Sequence, residues 1–379
     1  MGNFNPRRLV IARKRRRLTA KALADKIGVS PVTISRLENG SNPPEEHTLR
    51  LISEALGFPS AFFFQDDLDE MRSEAASFRS LTSMSAKERD SALASGAFAF
   101  LFSDWVCGRF NLPASGLIDL SAHTDPENAA YILRQEWGLG QQPIPNMIKL
   151  LESKGVRVFS LAENTRTVDA FSCWRDDTPY VFLNTFKSAE HSRFDAAHEL
   201  GHLVLHKHGG PGQARECDTE VEPDGSVFAV NDDREAEREA NRFASAFLMP
   251  ADDVVSRVRG ITSVDQLVTA KSRWGVSVAA LAYRLHKLRK LTDWQYRTFC
   301  IQMNQRGYRT QEPAGIEHEK SIVWQKVLGS LWSEKASRDH VADELHIPVE
   351  ELDNLLFGLT GNNTARNDTV SSGSLRLVT

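Results

Sequence analysis

The chain has 379 residues, which is long for a single hydrophobic core and predicts two or three domains. Its composition is ordinary for a soluble globular protein. It contains no run of about 18 apolar residues, and its N-terminus is a basic helix instead of a signal peptide, so we expect a cytoplasmic protein without a membrane partner.

The four cysteines are far apart in the sequence, and none of them forms a CxxC pair. This spacing argues against a disulfide framework or a zinc ribbon and favours reduced thiols. Only Cys217 has a second interpretation, because a thiol near the histidine motif described below could block a metal ion there.

The net charge of −4 conceals two regions of opposite sign. Residues 1–50 contain 11 Lys and Arg against 4 Asp and Glu, a balance of +7 that leaves −11 for the rest of the chain. A basic module joined to an acidic body predicts a polyanionic partner for the first part only.

The N-terminal region has the apolar spacing of four or five short helices. Gly28 marks a tight turn after TAKALADKI, and Ser30 followed by Pro31 is a favoured start for the next helix. Two helices joined by a short turn with glycine are the helix-turn-helix pattern. The segment from about Arg7 to Phe64, and ISRLENG most specifically, resembles the XRE or lambda-repressor-like DNA-binding domain.

That resemblance implies which side chains meet double-stranded operator DNA. In such domains the second helix of the motif lies in the major groove with its N-terminal residues at the bases. Four residues are expected at base edges: Pro31, Val32, Thr33 and Arg36. Only Arg36 can make a bidentate contact with guanine. Contacts with phosphates position the protein on DNA but do not specify the base sequence. Five residues are expected to make them: Asn39, Ser41, Arg15, Arg16 and Arg17.

Three further features surround this module. Arg15 to Arg17 have an alternative interpretation as a solvated run of charges. Arg13 and Glu38 look like the internal ion pair of XRE-type domains. Phe62 to Phe64 should be buried on the helices or on a second subunit, since exposed they would promote aggregation. The apolar stretch from Ala92 to Val106 is a helical connector packed on the body, or else a dimer interface. We expect a homodimer because repressor-like domains bind paired half-sites.

Strands are predicted immediately before the histidine motif. After the helix NMIKLLESKG, VRVFSLA alternates like a strand, and VDAFSCWRDDTPYVFLN indicates two strands around a turn at Asp176 and Asp177. PYVFLN is either a core strand or an edge strand that holds a peptide backbone. The fold class is therefore mainly α with a small β-sheet (α+β).

The stretch Arg193–His206 reads RFDAAHELGHLVLH and contains HExxH. On a helix His198 and His202 lie on one face, so both imidazoles can bind one metal ion. Glu199 is placed to reach a water at that metal, as a general base must. The alternative is a surface helix with two unrelated histidines, but apolar residues surround the motif as in a buried helix. His206 is four residues past His202. We expect it to contact one of the metal-binding residues or to belong to the core.

A third ligand is needed for a catalytic zinc site. EAEREANRFASAFLMP, residues Glu235–Pro250, is a helical pattern with an apolar face. Glu239 lies at the edge of that face, where a carboxylate is costly to bury unless it is paired or bound to metal. Glu235 and Glu237 are placed nearer the solvated side. We therefore predict Glu239 as the third ligand.

Asn184, RFDAAHELGHLVLH and EREANRFASAFLMP together resemble the ImmA/IrrE metallopeptidases, over about Ala130 to Pro313. These are zinc-dependent, gluzincin-like endopeptidases that cleave repressor proteins. The resemblance implies a zincin-like domain, a Zn²⁺ ion held by His198, His202 and Glu239, and Glu199 as the catalytic base.

The last part of the chain is again helical but acidic, which predicts a packing or protein-binding module and not a DNA-binding one. Five regions are expected: a helix-turn-helix domain at 1–70, a helical connector at 71–129, a metallopeptidase domain at 130–315, a C-terminal helical module at 316–360 and a disordered tail at 361–379.

Two functions remain open on the sequence. In the first, a DNA-binding transcriptional regulator carries a zinc endopeptidase that cleaves a repressor, an antitoxin-like protein or itself. In the second, the peptidase-like domain senses a metabolite, peptide or metal without hydrolysis.

Overall fold

The computed structural model describes residues 3–71, 84–161, 170–206, 229–308 and 310–361, with side chains from residue 234 onward in the fourth range. Cys217 and residues 362–379 of the expected tail lie outside these ranges. Within them the fold is mainly helical with one three-stranded sheet, so the predicted α+β class is confirmed. None of the described helices is long and apolar enough to cross a membrane.

Four α-helices and a short 3₁₀ helix form the N-terminal domain. They are α1 Pro6–Arg15, α2 Ala20–Ile27, α3 Pro31–Glu38, α4 Glu46–Leu56 and the 3₁₀ helix Ser60–Phe64. Ser30 caps α3 by accepting the Thr33 N–H at 3.1 Å. Gly28 has a φ of 72° at the turn after α2, a conformation that glycine adopts without strain. The expected ion pair is present, since Arg13 Nε donates to Glu38 Oε1 at 2.5 Å.

Helix α5, Ala86–Cys107, runs between the domains and is largely buried. Its Phe98 packs on Phe58 and Phe62, with ring centroids 5.7 and 6.1 Å apart. Farther along, Phe100 contacts Tyr180 with the ring centroids 4.7 Å apart. Phe62 and the apolar part of α5 are therefore buried within the chain itself.

The sheet lies in the middle of the chain. After α6 Pro126–Glu136 and α7 Met147–Ser153 come the strands β1 Arg157–Ser160, β2 Phe171–Arg175 and β3 Thr178–Leu183. The strand order is β1-β3-β2, with β3 parallel to β1 and antiparallel to β2. The β2–β3 turn is at Asp176 and Asp177, as predicted. Because β3 is the central strand, PYVFLN is not an edge strand, and that alternative is wrong.

Helices α8 Ala189–Leu205 and α9 Ala229–Leu248 pack closely against each other beside the sheet. Gly201 allows the approach, since a Cβ there would lie 3.3 Å from Ala240 Cα and 3.1 Å from the Phe243 ring. Four helices follow in order: α10 Ala251–Arg257, α11 Val264–Lys271, α12 Val278–Lys287 and α13 Asp293–Gln305.

The C-terminal helices are α14 Ile322–Ser333, α15 Arg338–Leu345 and α16 Val349–Leu356. The Trp324 indole N–H donates to the Val158 carbonyl of β1 at 2.6 Å. Glu152 of α7 accepts from the Ser321 hydroxyl and from the first backbone N–H groups of α14, which caps that helix. The C-terminal helices are thus fixed to the sheet.

Candidate metal centre and nucleic-acid interface

Three side chains converge at the contact between α8 and α9. His198 Nε2 and His202 Nε2 are 3.0 Å apart, and Glu237 places a carboxylate oxygen 3.5 Å from each. The candidate ligand atoms of these three residues all lie within 4.8 Å of one another. Two ligands at about 2.0–2.1 Å from a tetrahedral zinc ion are about 3.3 Å apart, so these spacings fit such an ion.

The carboxylate at this point is Glu237 and not Glu239, which corrects the third ligand expected from the sequence. Glu237 is one turn before Ala240 and two turns before Ala244 on α9, and both alanines are fully buried against α8. Glu237 is therefore carried onto the buried face. Glu239 points to one side, where its Oε2 lies 2.9 Å from His206 Nε2.

Glu199 is buried next to the two histidines and is held by the sheet. The Ser172 hydroxyl of β2 donates to Glu199 Oε2 at 2.7 Å. Ser172 is a residue that the sequence did not identify. The bond fixes one carboxylate oxygen of Glu199 at the end of an edge strand.

Burial controls the protonation of these groups. It raises the pKa of Glu199 to about 7 against the opposing charge of His198. It lowers the pKa of His202 to about 3, which keeps the imidazole in the neutral form that binds metals. Burial also opposes the charge of Glu237, but hydrogen bonds to His198 and His202 outweigh it and hold the pKa of Glu237 well below its usual range.

The residues expected at DNA bases form one surface of the N-terminal domain. Pro31, Val32 and Arg36 are exposed on α3, while Thr33 is half-buried with its hydroxyl 2.9 Å from Ser30 Oγ. Val32 is 57% exposed, which is unusual for an apolar side chain and fits a contact with a thymine methyl group. Asn39 and Ser41 are exposed just after α3.

Arg15 and Arg16 are not free for phosphates in this structure, which corrects their assignment. Arg15 Nε donates to Glu351 Oε2 at 2.7 Å, and Arg16 donates to the other oxygen of the same carboxylate. Arg15 also donates to Ser91 Oγ at 3.1 Å. Glu351 is on α16, so an acidic residue of the C-terminal module occupies the place proposed for a phosphate. Arg17 is half-buried near Glu88, whose pKa is lowered mainly by hydrogen bonds from Ser85 and to a smaller extent by the charge of Arg17.

Two regions of the chain match known protein families. Residues 9–63 match the helix-turn-helix family. Residues 151–286, which include the sheet, α8 and α9, match the IrrE N-terminal-like domain of a peptidase family. A search of curated proteins gives no match to the chain.

Proposed function

Because the chain joins an XRE-type helix-turn-helix domain to a peptidase domain of the ImmA/IrrE type, we propose that it is a DNA-binding regulator whose second domain is a zinc-dependent endopeptidase. Its substrate would be a repressor or antitoxin-like protein, or the chain itself. We expect it to act on an operator in the cytoplasm, and paired half-sites favour a homodimer.

One observation carries the proposal: His198, His202 and Glu237 are arranged as three ligands around one point. Two imidazoles and a carboxylate are a donor set of catalytic zinc sites, which keep a fourth position open. Zinc bound here would polarise a scissile carbonyl and acidify an attacking water. Glu199 would take a proton from the attacking water and return it to the leaving amide nitrogen, and the Ser172 hydroxyl holds the Glu199 carboxylate in place.

The position of β2 supports an extended peptide as the substrate. Among the described residues, β2 pairs with β3 on one side only, so its other edge has backbone groups that no strand pairs with and that a peptide backbone could join. Ser172 lies on this strand and contacts Glu199, so a peptide added to the edge would pass the base.

Glu199→Gln tests the catalytic part of the proposal. Glutamine keeps the shape of the side chain but cannot take a proton, so we expect cleavage of a co-expressed repressor substrate to fall by about 10²–10⁴-fold while zinc content stays at the wild-type level. Glu235→Gln on the exposed side of α9 is the matched control and should cleave normally.

The second candidate function is a peptidase-like domain that senses a metabolite, peptide or metal without hydrolysis. One contact in the structure favours it. Helix α16 packs on β1 of the peptidase-like domain and binds Arg15 of the helix-turn-helix domain through Glu351, so a change at the sheet has a direct route to the DNA-binding module. Zinc bound equally by wild type and Glu199→Gln, with no product that depends on Glu199, would establish the sensor and exclude the peptidase.

Arg36→Ala tests the DNA-binding part. Loss of a bidentate contact with guanine should cost about 1–3 kcal/mol at one base pair and relax the preference there, as measured by binding to a set of singly substituted operators. Arg50→Ala on α4 removes another exposed arginine, outside α3, and should leave base preference unchanged. An unaltered preference in Arg36→Ala would refute this contact.

A further inference from the structure

A line of polar side chains leads away from the proposed metal centre on the far side of His202. His202 Nδ1 is 3.1 Å from His206 Nδ1, and His206 Nε2 is 2.9 Å from Glu239 Oε2. The side chains of His202 and His206 are 3% and 11% exposed, so the contact between them is largely shielded from solvent. These contacts connect the end of α8 to α9 by a second route, separate from the contacts of Glu237.

The positions of the protons follow from this order. If His202 binds the metal through Nε2, its one proton is on Nδ1, which lies within hydrogen-bond distance of His206 Nδ1 as the acceptor. His206 must then accept at Nδ1 and carry its own proton on Nε2. That proton points at the Glu239 carboxylate, which needs a donor. Each hydrogen bond therefore has one donor and one acceptor. His202 donates to His206, and His206 donates to Glu239.

We propose that His206 and Glu239 are positioning residues that fix the ring and tautomer of His202 for metal binding. This inference rests on the metal site proposed above. Metal-binding histidines generally donate their second N–H to a carboxylate or carbonyl, which orients the ring and raises its basicity. Here an imidazole is inserted between the ligand and the carboxylate, and the negative charge of Glu239 acts on His202 through His206.

The arrangement explains why α9 directs two carboxylates at α8. Residues two apart on a helix do not face the same way. Glu237 therefore reaches the point between the two Nε2 atoms, whereas Glu239 reaches the flank where α8 ends and His206 caps it. The two glutamates have different roles, one on the metal and one behind a ligand.

The test is zinc affinity, measured by competition with a chelator in the full-length chain. His206→Ala and Glu239→Ala should each weaken zinc binding by about 10–100-fold. His206→Gln should recover most of the loss, because an amide oxygen can accept from His202 while the amide N–H donates to Glu239. His191→Ala removes an exposed histidine from the same helix and should bind zinc as wild type does.

A nitrogen-15 NMR measurement of the zinc-loaded wild type tests the proton order without any substitution. We expect the proton of His206 on Nε2 and that of His202 on Nδ1. The opposite tautomer of His206, or zinc affinity unchanged in folded His206→Ala, overturns the positioning role and leaves the metal site standing. A wild type that binds no zinc overturns both the positioning role and the proposed function.

Discussion

Replacing Glu237 with glutamine should weaken zinc binding by more than 100-fold, whereas the same change at Glu239 should weaken it by about tenfold, within the range for a residue that supports a ligand. Glu237 is the carboxylate that faces both imidazoles, and an amide oxygen there is a neutral and much weaker zinc ligand. Among the described residues, Glu239 contacts His206 and not the candidate ligand atoms. Chelator competition on both variants, prepared in parallel, gives the comparison.

The two substitutions control for each other because they are on one helix and make the same chemical change. Glu239→Gln retains an oxygen that can accept from His206, so a small loss is expected there. A larger loss at Glu239 than at Glu237 would return the ligand role to Glu239 and contradict the geometry of α8 and α9.

Local patterns in the sequence were sufficient for the elements that follow local rules. The caps, the turn at Gly28 and the strand hairpin at Asp176 depend on neighbouring residues, and each is where the sequence predicts it. HExxH is also local, because its geometry follows from helical spacing alone. These features define the helix-turn-helix and two of the three candidate ligands, His198 and His202.

The rest of the candidate metal centre depends on tertiary packing, that is, on which face of a helix or strand is covered by another element. The sequence pattern puts the edge of the apolar face of α9 at Glu239, but in the fold Leu248 is fully buried as well. Including Leu248 moves the centre of that face toward Ala244 and carries Glu237 with it. No sequence pattern identifies Ser172, because its role depends on a hydrogen bond to Glu199, which is 27 residues away in the sequence.

The contacts of Arg15 and Arg16 also depend on tertiary packing, between residues much farther apart in the sequence. A basic run after a helix at the N-terminus favours a phosphate contact when it is considered alone. Its partner in the structure, Glu351, is more than 330 residues away in the sequence, on a helix fixed to β1. Only the folded chain brings them together.

Glu351→Ala should therefore destabilise the protein by about 3–5 kcal/mol, since it leaves a buried arginine without its counter-charge. The side chain of Glu351 is 1% exposed and that of Arg15 7%, so water cannot replace the lost partner. Arg16, at 30%, is better solvated and contributes less. Urea unfolding is the measurement, with Glu350→Ala, exposed on the same helix, as the control that should change little.

The double variant Arg15→Leu with Glu351→Leu separates the cost of an unpaired charge from the loss of packing. Removing both charges leaves Arg16 bound to the Leu56 carbonyl at 2.7 Å, so much of the stability should return. In Glu351→Ala the partly exposed Arg16 also loses its counter-charge and becomes available to a phosphate, so DNA binding should become tighter and more dependent on salt. An equally destabilised double variant would show that packing, and not charge pairing, joins the C-terminal module to the DNA-binding domain.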